Sequence, residues 1–484
     1  MFLSFVLSIR FSYLQKLDHF NTHDNTYFNQ SYFYSQIKNS QCILLYLGGL
    51  SEFQESILEL PTLQELVKIT NATLIGFEHR FFGKSKINNV DLKYLSIRQS
   101  LVDIDQFLEF IQSKFCSQNC TIGLIGNSYA GSIATWSRVR YPHLSKGAWA
   151  SSAPLMFKKE FKEYDEFIAD SFDKINCFEI MKNIYTKIDK IILSGNKEKI
   201  KNLKKSFGFS DTQDDISFLY VIEQEIANKI EKDNQEKVNI CKRLKTNNSI
   251  DEYSKIFKEI TKELNPQKLD PYLYEEGSDR RNKLWLHCNE LGWFPVYSKL
   301  RSSLINISFF KNVCYSQFGI NIDDISYEIN NYRYGGSNPY LSKAIFSYGE
   351  YDPYLSLSLN TTLKSMGRIF YKIKNESVSS DIFNNSTNLN NIQIKIIHKM
   401  QKWIQNECEN KCKYGECING ECVCDDMWEG DFCDSKVHLF HTFRIISSIT
   451  VILPTIFMLV FSITAYKICF ADSIIEKTSS EIYY

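Results

Sequence analysis

Thr121-Ile122-Gly123-Leu124-Ile125-Gly126-Asn127-Ser128-Tyr129-Ala130-Gly131 is the stretch that decides the fold. Thr121–Ile125 is a short apolar run, as expected of a buried parallel strand, and it opens into Gly126. Ser132–Arg140 then continues with helical character. A serine on a tight strand-to-helix turn has its hydroxyl held up at the sheet edge, and small flanking residues let the chain pass closely. The helix N-terminus and the backbone N–H of Tyr129 then face developing negative charge. A Gly-x-Ser-x-small match is weak by itself. Strand before and helix after make Ser128 a candidate nucleophile.

Outward from that turn the same grammar repeats. Ile43–Leu47 runs into Gly48-Gly49, Ala72–Phe77 into Glu78-His79-Arg80, and Ala344–Ser347 into Tyr348-Gly349. Each reads as a buried parallel strand whose C-terminal end opens into a polar loop, where open α/β sheets bind ligands. Ile97, Leu101, Ile104, Leu108 and Ile111 form one apolar stripe of a crossover helix, with Ser96 and Gln99 as a capping box. Between Pro154 and Pro266 the chain is rich in Lys, Glu, Asp and Ile and reads as a helical insertion, broken at Ser194-Gly195-Asn196 and Asn247-Asn248-Ser249. The order is that of a lid inserted into a hydrolase core. No repeat at solenoid periods is present.

Composition agrees with a packed protein of two or three domains: 484 residues, 44% hydrophobic and 14% aromatic. Lys plus Arg and Asp plus Glu number 56 each, so no overall field favours nucleic acid, and no nucleic-acid partner is expected. Of 14 cysteines, seven are scattered (Cys42, Cys116, Cys120, Cys177, Cys241, Cys288, Cys314), six fall within residues 408–433, and Cys469 stands alone. Scatter suits occasional disulfides in a secreted protein, and the dense cluster suits a stapled module. Asn-X-Ser/Thr acceptors at Asn29, Asn71, Asn119, Asn247, Asn306, Asn360, Asn375, Asn384 and Asn385 agree with an oxidising, luminal compartment. Met1–Ile9 is apolar and ended by Arg10, a short signal segment. Ile445–Tyr466 is 22 residues without a charge, enough to cross about 30 Å of hydrocarbon. The competing reading is a buried core helix. Flanking charges do not orient the span, so the disulfide module and the acceptor sites place its N-terminal side outside.

Gly126-Asn127-Ser128-Tyr129-Ala130-Gly131, Tyr141-Pro142-His143 and Ala150-Ser151-Ser152-Ala153-Pro154 resemble the family of lysosomal prolyl carboxypeptidase, dipeptidyl peptidase II and thymus-specific serine protease. The likeness continues through Leu17-Asp18-His19-Phe20-Asn21, Leu45-Tyr46-Leu47-Gly48-Gly49, Glu78-His79-Arg80-Phe81-Phe82-Gly83 and Tyr94-Leu95-Ser96. It runs on to Cys288-Asn289-Glu290, Asn331 with Tyr334-Gly335-Gly336, and Phe346-Ser347-Tyr348-Gly349-Glu350-Tyr351-Asp352-Pro353. The resemblance implies an α/β-hydrolase core under an inserted helical cap, with no cofactor and no metal. It implies cleavage of peptide substrates beside proline, from either terminus, and leaves a homodimer open. Ser128 takes its nucleophile position and Asp352 its triad acid, with Tyr129 and Gly49 as oxyanion donors; a turn residue before Pro353 is the plain alternative for Asp352.

The base is the exception. A serine hydroxyl needs a base to take its proton, and in triads that base is histidine. The family places it after the Asp-Pro motif and before the last helix, yet residues 354–397 contain no histidine. Lys374–Ile382 occupies roughly that place, in a loop several residues short. His398, inside the expected last helix Ile392–Ile404, is the nearest candidate, although a surface or core position suits it better. His79 and His143 belong to other motifs. Leu50-Ser51 also replaces a Glu-Gly pair, removing a carboxylate that could meet a peptide terminus. A catalytically inactive binding ectodomain is therefore a serious alternative to a membrane-anchored exopeptidase.

Cys408, Cys412, Cys417, Cys422, Cys424 and Cys433, with Gly415, Gly420 and Gly430, resemble an epidermal-growth-factor-like (EGF-like) module. Its usual pairing would join Cys408 to Cys417, Cys412 to Cys422 and Cys424 to Cys433; a zinc knuckle is disfavoured because no histidine interleaves the cysteines. Such a module would act as a stalk or a protein-contact site. The expected organisation is thus a signal segment at 1–16, an α/β-hydrolase domain at 17–155 and 300–405, and a cap at 156–299. The EGF-like module at 407–434, a transmembrane helix at 445–466 and a cytoplasmic tail at 467–484 complete a type I membrane protein of the secretory pathway, lysosome or cell surface.

Overall fold

Strands whose neighbouring side chains point to opposite faces can be apolar throughout only if both faces are covered, and this requirement builds the centre of the molecule. The computed structural model describes residues 9–34, 42–116, 120–360, 367–384, 389–405, 412–418, 421–430 and 432–436. The chain divides into two compact units, Met1–Gln405 and Asn406–Tyr484.

The first unit carries eight strands in one sheet: β1 (Ile9–Lys16), β2 (Tyr27–Tyr34), β3 (Cys42–Leu47), β4 (Thr73–Phe77), β5 (Thr121–Asn127), β6 (Gly147–Ser151), β7 (Ala344–Tyr351) and β8 (Arg368–Ser377). Their spatial order is β1-β2-β4-β3-β5-β6-β7-β8. β2 runs antiparallel to both β1 and β4, and every pairing from β4 to β8 is parallel. This is the α/β-hydrolase arrangement. Alternation sorts the central side chains: Ile43, Leu45, Leu47, Leu124, Ala148, Ala150 and Phe346 join one core, and Leu44, Tyr46, Ile125, Trp149 and Ile345 the other. Helices α1 (Pro61–Thr70), α2 (Ile97–Phe115) and α3 (Tyr129–Arg140) return the chain between parallel strands. Ser96 caps α2 by accepting from Gln99 N–H, while the Gln99 side chain turns instead to Asp18.

The insertion is helical. α4 (Lys162–Asp173), α5 (Phe178–Leu193), α6 (Lys197–Phe207), α7 (Asp215–Lys232), α8 (Asn234–Thr246), α9 (Ile250–Ile260), α10 (Asp279–Leu286), α11 (Ile307–Phe318) and α12 (Ile329–Tyr334) lie between β6 and β7 in the chain. The breaks at Ser194–Asn196 and at 247–249 fall between helices, where Asn196 and Ser249 cap α6 and α9. Disulfides Cys177–Cys241 and Cys288–Cys314 tie this region, and Cys116–Cys120 closes the loop before β5. After β8 come α13 (Ser380–Phe383) and α14 (Asn391–Gln405), and α14 packs Met400 and Ile404 against Gly123.

One sequence expectation is corrected. Ile9–Lys16, assigned above to a signal segment, is the edge strand β1, in register with Tyr27–Tyr34. Its alternation explains this: Phe11 and Tyr13 face α2, where Tyr13 meets Phe107 and Phe110 at ring distances of 5.6 and 4.7 Å. Residues 1–8 lie outside the described residues, as does the expected span 445–466. Among the described residues no helix is long and apolar enough to cross a membrane.

In the second unit, Gly415–Ile418 pairs antiparallel with Glu421–Cys424. Disulfides Cys412–Cys422 and Cys424–Cys433 are formed, two of the three pairings that the resemblance implies. Cys417 opposes Cys422 in the ladder, and Cys408 lies outside the described residues.

Candidate active site

β5 ends at Asn127 and α3 begins at Tyr129, which leaves Ser128 alone to make the turn. Its backbone sits at φ 51° and ψ −129°, a conformation that a non-glycine residue holds only under restraint. Such strain costs on the order of 1–3 kcal/mol and concentrates at functional sites. The restraint is visible. Ser128 N–H donates to Ser151 C=O at 2.8 Å, and Tyr46 Oη donates to Asn127 Oδ1 at 2.6 Å. Gly126 is obligatory, since a Cβ there would stand 2.4 Å from the Ala130 carbonyl oxygen. Ser128 is half-buried, and among the described residues no side chain is hydrogen-bonded to its Oγ. Tyr129 opens α3, where first-turn N–H groups have no intrahelical acceptor. Gly48 N–H donates to Phe77 C=O at 2.7 Å, and the next residue, Gly49, faces open space.

Asp352 follows β7 directly and is 2% exposed. Its Oδ1 accepts from Tyr354 N–H at 2.9 Å, while Oδ2 is buried with no hydrogen-bond partner. Burial drives its pKa up to about 7; the Ser152 hydroxyl and Tyr354 N–H oppose the rise, and the charges of Glu231 and Asp381 add to it. Glu231, on α7, accepts from Tyr164 Oη at 2.9 Å, and burial raises its pKa too.

The described histidines are all accounted for elsewhere. His398 lies exposed on α14, so the nearest sequence candidate is not part of this site. His79 is buried, with Nδ1 donating to Arg80 C=O at 2.8 Å and Nε2 2.9 Å from Ser100 Oγ; burial lowers its pKa to about 4. His19 Nε2 is 2.7 Å from Asp103 Oδ1, and His287 Nδ1 donates to Gly292 C=O at 2.8 Å. His23 and His143 are exposed, and His438 and His441 lie outside the described residues.

Sequence reading missed three side chains here. Ser152 follows β6 at φ 51°, with its N–H donating to Ser347 C=O at 2.7 Å. Ser379, two residues beyond β8, is 2% exposed at φ 53°, and its N–H donates to Ser152 Oγ at 2.8 Å. Asp381 accepts from Ser151 Oγ at 2.6 Å and Trp149 Nε1 at 3.1 Å, which pins the loop beneath the sheet edge. Lys374–Ser377 belongs to β8, not to the loop expected there. The one available signal was Asp381-Ile382, which set the chain register after the strand. Among the described residues no group of three or more His, Cys, Asp or Glu is placed to hold a metal ion.

Sheet order and the strained strand-to-helix turn at Ser128 together define an α/β-hydrolase scaffold. The model of the serine carboxypeptidase S28 family matches residues 15–400, and the chain belongs to that family. It is 28% identical over 400 residues to the probable serine protease EDA2 of Arabidopsis thaliana, covering 76% of this chain and 80% of that protein. It is 24% identical to the thymus-specific serine protease of Mus musculus (72% and 78% covered), and 28% identical over 198 residues to the lysosomal Pro-X carboxypeptidase of Mus musculus (38% and 40% covered).

Proposed function

We propose that this protein is a serine-type exopeptidase that cleaves peptides beside proline, with Ser128 as nucleophile and Asp352 as triad acid. The amides of Tyr129 and Gly49 are the oxyanion donors. The relative named Pro-X carboxypeptidase supports a proline-adjacent specificity. The observation that carries the reading is the strained Ser128 turn. Binding alone does not require a serine at φ 51°, whereas attack on a carbonyl requires the hydroxyl to be raised beside the first N–H of α3. Within the same proposal, Ile445–Tyr466 anchors the chain as a type I membrane protein. An EGF-like module serves as stalk or contact site on the luminal or extracellular side. The acceptor asparagines Asn29, Asn71, Asn247, Asn306, Asn360 and Asn375 are exposed and open to glycosylation.

A second reading has its own observation. The loop after β8 holds serines where a base is needed. Without an imidazole, binding and the oxyanion donors leave only residual catalysis, several orders of magnitude down. On that reading the domain binds peptide ends without turning them over. A fluorophosphonate probe separates the two. Exopeptidase function requires labelling that is lost in Ser128→Ala, together with release of residues from proline-containing peptides at acid or neutral pH. A protein that neither labels nor cleaves is a binding ectodomain.

A further inference from the structure

We propose that Ser379 stands in the seat of the triad base, and that an imidazole restored to that seat activates Ser128. The proposal rests on the reading of Ser128 and Asp352 given above.

Topology brings the three positions to one edge. Ser128 follows β5, Asp352 follows β7 and Ser379 lies two residues beyond β8, all parallel strands that end on the same side. Hydrogen bonds then close the gap between them. Ser128 N–H is held by Ser151 C=O, and the next residue, Ser152, receives Ser379 N–H on its Oγ. The same Ser152 side chain is near enough to the Asp352 carboxyl to lower its pKa. Ser379 is therefore one side chain away from the acid, across a serine adjoining the residue that holds the nucleophile.

Unsatisfied polar atoms mark the seat. Asp352 Oδ2, Ser379 Oγ and Ser380 Oγ are all buried without a hydrogen-bond partner. Three such atoms gather on one short loop and its neighbouring acid. Serine is too short to span from acid to nucleophile, and its hydroxyl is no base near neutral pH. The backbone is already suited to the missing residue: Ser379 sits at φ 53° and ψ 25°, left-handed space in which histidine is enriched several-fold over most side chains. The loop is held at both ends, by Ser377 Oγ donating to Lys232 C=O at 3.1 Å and by Asp381 bonded to Ser151 and Trp149.

In Ser379→His the Asp352 carboxylate accepts Nδ1–H, leaving Nε2 as base. Nε2 takes the Ser128 proton as Oγ bonds the peptide carbonyl carbon, and the carbonyl π pair moves to oxygen beneath the oxyanion donors. Collapse breaks the C–N bond, and the imidazolium gives its proton to the leaving amine. Water repeats the cycle to release the acyl group and restore Ser128.

The test uses the full chain and a chromogenic proline-containing peptide. Ser379→His is expected to raise turnover about 10²-fold or more over the parent, with a rate that climbs through the imidazole pKa near ~6.5. The gain should vanish in Ser379→His combined with Asp352→Asn or with Ser128→Ala. Ser379→Gly, which fits the left-handed backbone, is the second variant: free imidazole should raise its rate in a saturable way and leave Ser128→Ala/Ser379→Gly inert. If both variants melt like the parent yet keep its rate at every pH and imidazole concentration, the seat is misassigned. Fluorophosphonate labelling of the parent keeps the two claims apart. A parent that labels while the variants gain nothing overturns the seat alone. Variants that gain while the parent is inert support the seat and leave the binding reading of the parent.

Discussion

Replacing Asp352 by asparagine should stabilise the protein in a pH-dependent way, opposite to the effect of losing an ordinary buried contact. The carboxyl is 2% exposed, and its pKa is raised to about 7 chiefly by burial. The unfolded chain titrates near ~3.9. The folded state therefore binds the proton more tightly, so the stabilisation this group contributes is complete below ~3.9 and is lost as pH rises towards 7. Evaluated with these two values, that loss between pH 5 and pH 8 is about 2.5 kcal/mol. Asparagine is always neutral. Relative to the parent, Asp352→Asn should gain about 2.5 kcal/mol on going from pH 5 to pH 8. Its amide can still accept from Tyr354 N–H through oxygen, but it places an N–H₂ where Oδ2 now has no partner. That offsets the gain by about 1–3 kcal/mol at both pH values. Urea unfolding of parent and variant at the two pH values measures the double difference, in which shared groups such as Glu231 and Asp381 largely cancel. A double difference near zero would refute the argument that the Asp352 carboxyl is held neutral by desolvation.

Two further predictions concern the frame around the site. Arg80→Met should destabilise by about 3–5 kcal/mol in the same assay. Arg80 is fully buried, donates to Asp103 twice at 2.6 Å and to three backbone carbonyls, and its loss leaves the buried Asp103 carboxylate only its contact with His19 among the described side chains; a change under 1 kcal/mol on the order expected for surface pairs would contradict the network. Gly126→Ala should cost about 1–3 kcal/mol and also reduce fluorophosphonate labelling, because the added methyl meets backbone atoms of Ala130 and Gly131 at 2.4 to 2.8 Å. Normal labelling in that variant would show that the turn can move without consequence.

What could be read from the chain alone was whatever a short segment decides. Thr121–Gly131 specifies strand, turn and helix within eleven residues, because apolar β-formers, a glycine that alone fits beside Ala130, and a helical run lie next to one another. The α2 stripe with its Ser96 cap and the breaks between insertion helices were legible for the same reason, whereas the two disulfide pairings formed in the module followed from its resemblance and not from spacing. Asp352 was singled out by the resemblance of its motif, and the structure places it directly after a buried strand. Tertiary structure alone decided the rest. β1 looked like a leader because its alternating aromatics gain meaning only against Phe107 and Phe110, almost a hundred residues on. The idle oxygen of Asp352 and the burial of Ser379 are properties of surroundings supplied by β6, β7, β8 and α7 together. A serine written after a strand says nothing of whether its hydroxyl meets water or a desolvated carboxyl. Only the sheet, by drawing residues 128, 152, 352 and 379 to one edge, turns an absent histidine into a defined position.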